Sequence, residues 1–420
     1  MVRVKLEKVF TNITWILLLI APLSGLTTEH SSAFRDIVPA FFAVGMMYLL
    51  SDRKIRCKRN VLWAFAYVIW LFITTVLNGR SISTSVLTSI LFAMFFCLML
   101  GKKLNKKQMS FVIKMNILIS IIAAVAIVCG AIFSKPYSPG RYSLDFIGIR
   151  KNPNYVTGYI MFSYTWCLYH LVFGTIKAKK VLIGNSVALC LFLYAFFLSG
   201  TRAALLISLL IAVFVVVAYI LKKGIKPRII VLVGLGIVAC TYVFQFIADI
   251  VPQWILEDRL NFMNIIQSDD VRLVLWSDGL DEFARNNVML GLGVNGIERF
   301  SHETSGLSLH NVLLQVLLEA GIIGTILFGL LFFDGQRKVK KTDKLLLFLL
   351  STALFLPLLF QNGMYSLSFW YPVIMRSQLM NYSAESDCGI GEMLAYGRPI
   401  NSKIGNRSDS NGITQCQKSI

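Results

Sequence analysis

A chain of 420 residues with 56% hydrophobic and only 15% charged residues falls outside the composition of soluble globular domains, which carry about 25% charged residues. Its net charge of +19 is dispersed as short basic clusters between apolar runs, which argues against a nucleic-acid surface and fits a membrane protein that sets its orientation with lysine and arginine. The eight cysteines show no CxxC and no zinc-like spacing, so neither a disulfide framework nor a structural zinc site is expected.

Apolar runs of about 20 residues recur along the chain, the length that crosses a hydrocarbon core of about 30 Å. They are continuous rather than alternating, so an all-α, polytopic fold is expected. Candidate spans cover about 9–27, 36–50, 61–78, 82–100, 110–133, 154–175, 181–199, 203–221, 229–247, 311–333, 345–361 and 364–379, about twelve transmembrane helices. The first follows Arg3, Lys5 and Lys8 and reads as a retained helix rather than a cleaved leader. The run 36–50 is short and contains Pro39. The last run contains Pro372 and Arg376, and if it does not cross, the tail changes side. Basic clusters fall at every second connection: Arg3/Lys5/Lys8, Arg53 to Arg59, Lys102 to Lys107, Lys177 to Lys180, Lys222 to Arg228 and Arg337 to Lys344. They hold 24 basic residues against eleven in the other connections, which predicts a cytoplasmic N-terminus and places 248–310 outside the cytoplasm. The expected organisation is therefore a multi-span membrane domain over 1–380, with the long helical loop 248–310 inside it. The tail 381–420, rich in Ser, Asn and Gly, is expected to be disordered.

The eleven basic residues on the minority side run against the charge bias, and several sit where chemistry could use them. The loop 134–154 is basic, aromatic and turn-rich, with Arg141, Arg150 and Asn154 as candidate sugar or phosphate ligands; it could equally be a connection meeting anionic headgroups. In Ser199-Gly200-Thr201-Arg202 the whole connection between two apolar helices is four residues long. It holds Arg202 at the membrane edge and at a helix start, where guanidinium can fork onto phosphate oxygens; the plainer alternative is a snorkelling anchor. The segment 248–311 carries ten acids. Within it Asp269 or Asp270 is expected to cap a helix, on which Arg272 shares a stripe with Leu275, Trp276, Gly279 and Phe283. A cation on an apolar face needs an acid or a phosphate as partner. Gly291-Leu292-Gly293-Val294-Asn295-Gly296 lacks a βαβ unit, so a tight turn is expected rather than a dinucleotide loop. Arg299 follows close behind as a further candidate ligand. His310 and Asn311 open the next apolar helix, where a neutral imidazole could act as general base or the pair could simply cap the helix. Glu319 lies inside that helix, at a depth where a carboxylate is costly.

On these residues the chain resembles the O-antigen ligase family, whose core is shared with O-antigen polymerases. His310-Asn311-x9-Gly321-x-x-Gly324 matches the family's histidine motif, Ser199 to Leu206 resembles its arginine motif, Arg272 with Trp276 resembles its second arginine, and Asn287 to Gly296 resembles its glycine-rich loop segment. The likeness covers roughly 140–330. It implies a GT-C-like architecture in a bacterial inner membrane with the site at the periplasmic face, and metal-independent glycosyl transfer without a cofactor. It further implies an undecaprenyl-pyrophosphate-linked glycan as donor and lipid A-core or another lipid-linked glycan as acceptor. By the same resemblance Arg202 and Arg272 would hold the pyrophosphate, and His310 would activate the acceptor hydroxyl. A polymerase joining lipid-linked repeats is the alternative, and a polysaccharide flippase a more distant one.

Overall fold

The computed structural model describes residues 2–23, 43–47, 58–79, 97–102, 104–133, 136–137, 141–146, 149–150, 152–173, 179–224, 262–294, 296, 309–333, 339–361, 367–386 and 389–390. Among these the main helices are α1 (Val2–Ile20), α2 (Arg59–Leu77), α3 (Lys106–Ile132), α4 (Pro153–Phe173), α5 (Lys179–Leu198), α6 (Arg202–Lys223), α7 (Phe262–Arg285), α8 (Val312–Phe333), α9 (Lys344–Phe355) and α10 (Leu367–Glu385). A two-residue antiparallel ladder, β1 (Asp145–Phe146) with β2 (Ile149–Arg150), lies just ahead of α4. Five described helices, α2, α3, α5, α6 and α8, are long and apolar enough to cross a membrane. The expected span 229–247, and most of 36–50 and 82–100, lie outside the described residues.

The helices divide their faces as lipid requires rather than as water requires. On α6, Ala204, Ile207, Ile211 and Val215 are buried, while Leu206, Leu209, Val213, Val217 and Leu221 recur at helical spacing on an exposed stripe. Exposed leucines and valines in such continuity would be a liability in water and are neutral against acyl chains. Inside the bundle, helices satisfy their own backbone polarity, and a set of polar side chains pairs across helices. Ser163 donates to Asn116 Oδ1 at 3.0 Å, Ser120 and Ser163 lie 2.8 Å apart, and Asn116 donates to the Tyr371 hydroxyl, which ties α3, α4 and α10 together.

The contacts define two ends of the bundle. At one end Lys58 pairs with Glu385 at 2.7 Å, Asn381 bonds the Leu100 carbonyl next to Lys102, Lys340 bonds Ser386, and Lys222 lies over Phe173. Lys58, Lys102 and Lys340, which precede α2, α3 and α9, therefore lie round the end of α10. At the other end Tyr142 bonds Leu198, Asn154 meets Gln361, and a small void is walled by Pro22, Tyr155, Gln361 and Tyr371. The last apolar run is thus a bundle helix that runs from one end to the other, with Phe369, Trp370, Ile374 and Met375 buried on the way.

Three expectations are corrected. The helix expected to start at Asp269 or Asp270 starts at Phe262, so both aspartates are inside it rather than at its cap; the preceding Phe-Met-Asn-Ile-Ile-Gln segment holds no breaker that would stop the helix from extending. The span 345–361 is not one α-helix. Pro357 lacks the N–H that an α-helix needs, and the chain tightens into a 3₁₀ segment, Leu356–Phe360. Helix α8 is broken at Gly321, whose φ of 69° and ψ of −172° no helix tolerates.

The break is clamped by backbone from the loop after α7. Leu292 N–H donates to the Leu318 carbonyl at 2.8 Å, Gly293 N–H to the Glu319 carbonyl at 2.9 Å, and Ile322 N–H to the Val288 carbonyl at 3.0 Å. Helix α2 supplies the remaining partners. Trp70 Nε1 donates to the Ala320 carbonyl at 2.8 Å, Asn78 to the Gly291 carbonyl at 3.0 Å, and Thr75 accepts from Val294 N–H at 3.1 Å. The backbones meet so closely that a Cβ on Gly291 would lie 2.4 Å from Gly321 N, and one on Gly321 would lie 2.4 Å from the Met289 carbonyl oxygen. The glycine-rich stretch is therefore a turn, as expected, and its glycines exist for this approach.

Gly321→Ala should lower the thermal midpoint of the detergent-solubilised protein, because a left-handed alanine costs about 1–3 kcal/mol before the clash is added. Gly329→Ala in the same helix meets nothing within 4 Å and should leave the midpoint unchanged or raise it. Equal effects of the two substitutions would show that the clamp does not constrain the break.

Candidate active site

The four-residue connection forms as the sequence predicts. Helix α5 ends at Leu198, Gly200 takes a φ of 59°, and Arg202 is the first residue of α6. Ser199 and Thr201 are fully enclosed, and Ser199 Oγ closes the turn by donating to the Phe196 carbonyl at 2.6 Å and accepting from Thr201 N–H at 3.2 Å. With the turn locked from inside, the half-buried Arg202 is left at the rim beside the open N–H groups of a helix start.

Arg141 and Asn154 come to the same place. Arg141 Nη2 donates to Asn154 Oδ1 at 2.8 Å, and the adjacent Tyr142 N–H bonds the Leu198 carbonyl at 3.1 Å, which draws the loop onto the α5–α6 turn. Asn154 is set in turn by its neighbours. Its N–H bonds Asn152 Oδ1 at 3.0 Å, and its carbonyl accepts from Gln361 Nε2 at 2.8 Å. Asn154, Thr201 and Phe360 wall a common small void. Arg150 closes the β ladder opposite Asp145, four residues before Asn154. Two guanidinium groups, Arg141 and Arg202, thus flank the starts of α4 and α6.

The second group surrounds the start of α8. His310 holds a left-handed backbone with φ of 50°, uncommon for a non-glycine residue. Asn311 Oδ1 accepts from Leu314 N–H at 3.1 Å and so caps α8. Trp276 Nε1 donates to the Leu309 carbonyl at 2.8 Å, and Leu275, Phe283, Leu292, Leu309 and Leu318 form one small apolar cluster. The predicted stripe of α7 is therefore the face that packs on α8, with Gly279 against Leu309 and Leu318, while Asp278 and Asp281 are exposed. Arg272 occupies the same stripe one turn before Trp276; its backbone is described and its side chain lies outside the described residues, as does all of Arg299. Glu319 is enclosed and accepts from Gln315 Nε2 at 3.0 Å.

The two groups meet through Leu356–Phe360. That segment packs against α4, α6 and α8; the Phe360 carbonyl lies 3.5 Å from Asn154 Nδ2, and Leu359 shares a groove with Leu313. Sequence reasoning missed Gln361, Trp70, Thr75 and Asn78. Pro357 was the available sign that the run ended early. Trp70, Thr75 and Asn78 lie on or just after an apolar helix and gave no sign, since their partners are backbone atoms more than 200 positions away.

These features define a polytopic helical membrane protein with an arginine-bearing polar site at one end of its bundle. Residues 187–329, about a third of the chain, match the family model described as O-Antigen ligase. The match takes in Arg202, Arg272, His310, the glycine clamp and the break at Gly321, and leaves Arg141, Arg150 and Asn154 outside it. No curated protein matches the chain.

Two outcomes test this geometry. Asn154→Ala and Arg141→Ala should be non-additive in a double-mutant cycle on thermal stability, with a coupling of about 1.5–3 kcal/mol for a hydrogen bond to a charged group. His310→Gly should be more stable than His310→Ala by about 1 kcal/mol, since glycine adopts the positive φ without strain; the reverse order would mean that the surrounding chain does not hold residue 310 in the left-handed region.

Proposed function

We propose that the protein transfers a glycan from a polyprenyl pyrophosphate carrier to an acceptor hydroxyl at the arginine-bearing end of the bundle, as an O-antigen ligase acting at the periplasmic face of the inner membrane. The observation that carries this reading is that Arg141 is held at the start of α4 and Arg202 opens α6, both helices packing on the Leu356–Phe360 segment that also packs on α8. A pyrophosphate leaving group needs fixed positive charge and N–H donors aimed at oxygens that gain charge in the transition state. Two guanidinium groups and a helix start supply that, and Arg272 on the stripe of α7 is a third donor on the same reading. The acceptor oxygen attacks the anomeric carbon of the donor sugar, the bond from that carbon to the pyrophosphate oxygen breaks, and His310 takes the hydroxyl proton. The electron pair leaves with the pyrophosphate, held by the arginines. On the same reading Arg150, Asn154 and Arg299 act as donors to glycan hydroxyls or phosphate, and Asn311, which caps α8, fixes the helix start next to the histidine.

His310→Ala should lower glycan transfer by about 10²–10⁴, the usual contribution of a general base. Arg202→Ala should lower it by about 10²–10³, with membrane insertion unchanged in both. The assay is transfer of carrier-linked glycan to acceptor in vesicles. Full activity in both variants would overturn the proposal. In cells that lack the protein, long glycans stranded on the carrier are the expected result; single repeats on the acceptor would assign polymerisation instead.

A further inference from the structure

At the opposite end of the bundle a cavity of about 580 Å³ opens between α2, α8 and α10. Lys58 and Arg59 stand at its mouth, with Glu385 already paired to Lys58 at 2.7 Å. Arg376 stands deeper, nine residues back along α10, which is about 13 Å at the helical rise. It is 4% exposed, and its Nε has no hydrogen-bond partner among the described residues. Its guanidinium lies 4.0 Å from the centroid of the Phe332 ring. A ring face orients a cation without neutralising it. The cost of a buried, unneutralised arginine makes an anionic partner the physical expectation.

A second opening reaches the same arginine. A groove of about 540 Å³ runs between α8 and α9, lined by Leu313, Phe333, Phe348, Leu356 and Leu359, and Arg376 is in its wall as well as in the wall of the cavity. Phe333 and Phe348 are 63% and 55% exposed, so the groove opens on the side that faces lipid. A cationic cavity joined at one residue to an apolar, lipid-facing groove fits a molecule with an anionic head and a hydrocarbon chain. A soluble anion would use the cavity and leave the groove without purpose.

We infer that this end binds an anionic phospholipid, with its phosphate in the cavity between Arg376, Arg59 and Lys58 and an acyl chain in the groove between α8 and α9. The cavity that takes the phosphate lies at the lysine-bearing end, while the groove extends to Leu359 and Leu313 beside the start of α8; the proposal does not rest on the glycosyl-transfer reading.

The test uses the full chain in detergent micelles. Its thermal midpoint is titrated with phosphatidylglycerol, with phosphatidylcholine and with inorganic phosphate. Phosphatidylglycerol alone is expected to raise the midpoint. Arg376→Gln should weaken its apparent affinity about tenfold or more, the loss of one or two hydrogen bonds to a charged group. Arg59→Gln, at an exposed position, should weaken it severalfold. Equal stabilisation by phosphatidylcholine, stabilisation by inorganic phosphate alone, or unchanged phosphatidylglycerol affinity in both variants would each overturn the proposal.

Discussion

The structure depends on a stretch of broken helix that is repaired by backbone from elsewhere. Where α8 is interrupted at Gly321, carbonyls and N–H groups that would normally bond within the helix are set free in an apolar interior. An unpaired peptide group there costs several kcal/mol. The loop after α7 supplies two N–H groups and a carbonyl, and α2 supplies the indole of Trp70. Because these are backbone partners at backbone distance, only glycine fits at positions 291 and 321. The histidine motif and the glycine-rich segment are consequently two halves of one joint. Its placement matters more than its strength: it holds the end of α7, the helix that carries Arg272, against the helix whose start follows His310.

A second constraint is the early end of α9. Pro357 turns the chain into a tighter helix, and that short piece is where α4, α6 and α8 converge. Through it the Arg141–Asn154 pair is set by Gln361, while Leu359 reaches the groove beside the start of α8. Polar function at this end thus rests on several helix termini, each anchored by neighbours rather than by its own propensity. Helix starts are suited to this role, since their open N–H groups and partial positive charge favour anions.

The two ends of the bundle treat positive charge differently. At one end lysines gather in connecting loops, and the one ion pair among the described residues, Lys58 with Glu385, lies there. At the other end Arg202 stands at a helix start, and Arg141 is held by the side-chain amide of Asn154. Lysine clusters suit orientation in the membrane, which needs only net charge. Single arginines fixed by hydrogen bonds suit recognition, which needs geometry. Arg376 departs from both patterns: it is buried, stacked on an aromatic ring and open to a cavity.

Much of the architecture was legible in the sequence, because lipid imposes a simple rule. Continuous apolar runs must be helices, and Lys58, Lys102 and Lys340, each from a predicted basic cluster, lie round the end of α10. The short turn that presents Arg202 and the apolar stripe of α7 followed from spacing alone. The break at Gly321, the clamp from residues 288–293 and the joint role of Leu356–Phe360 did not. They rest on backbone-to-backbone contacts between segments far apart in the chain, and hydropathy carries no record of which segment lies beside which. The sequence by itself determined which residues were out of place in a membrane. Only the tertiary structure decided which of them meet, because a buried peptide group or guanidinium is specified by its partner rather than by its own side chain.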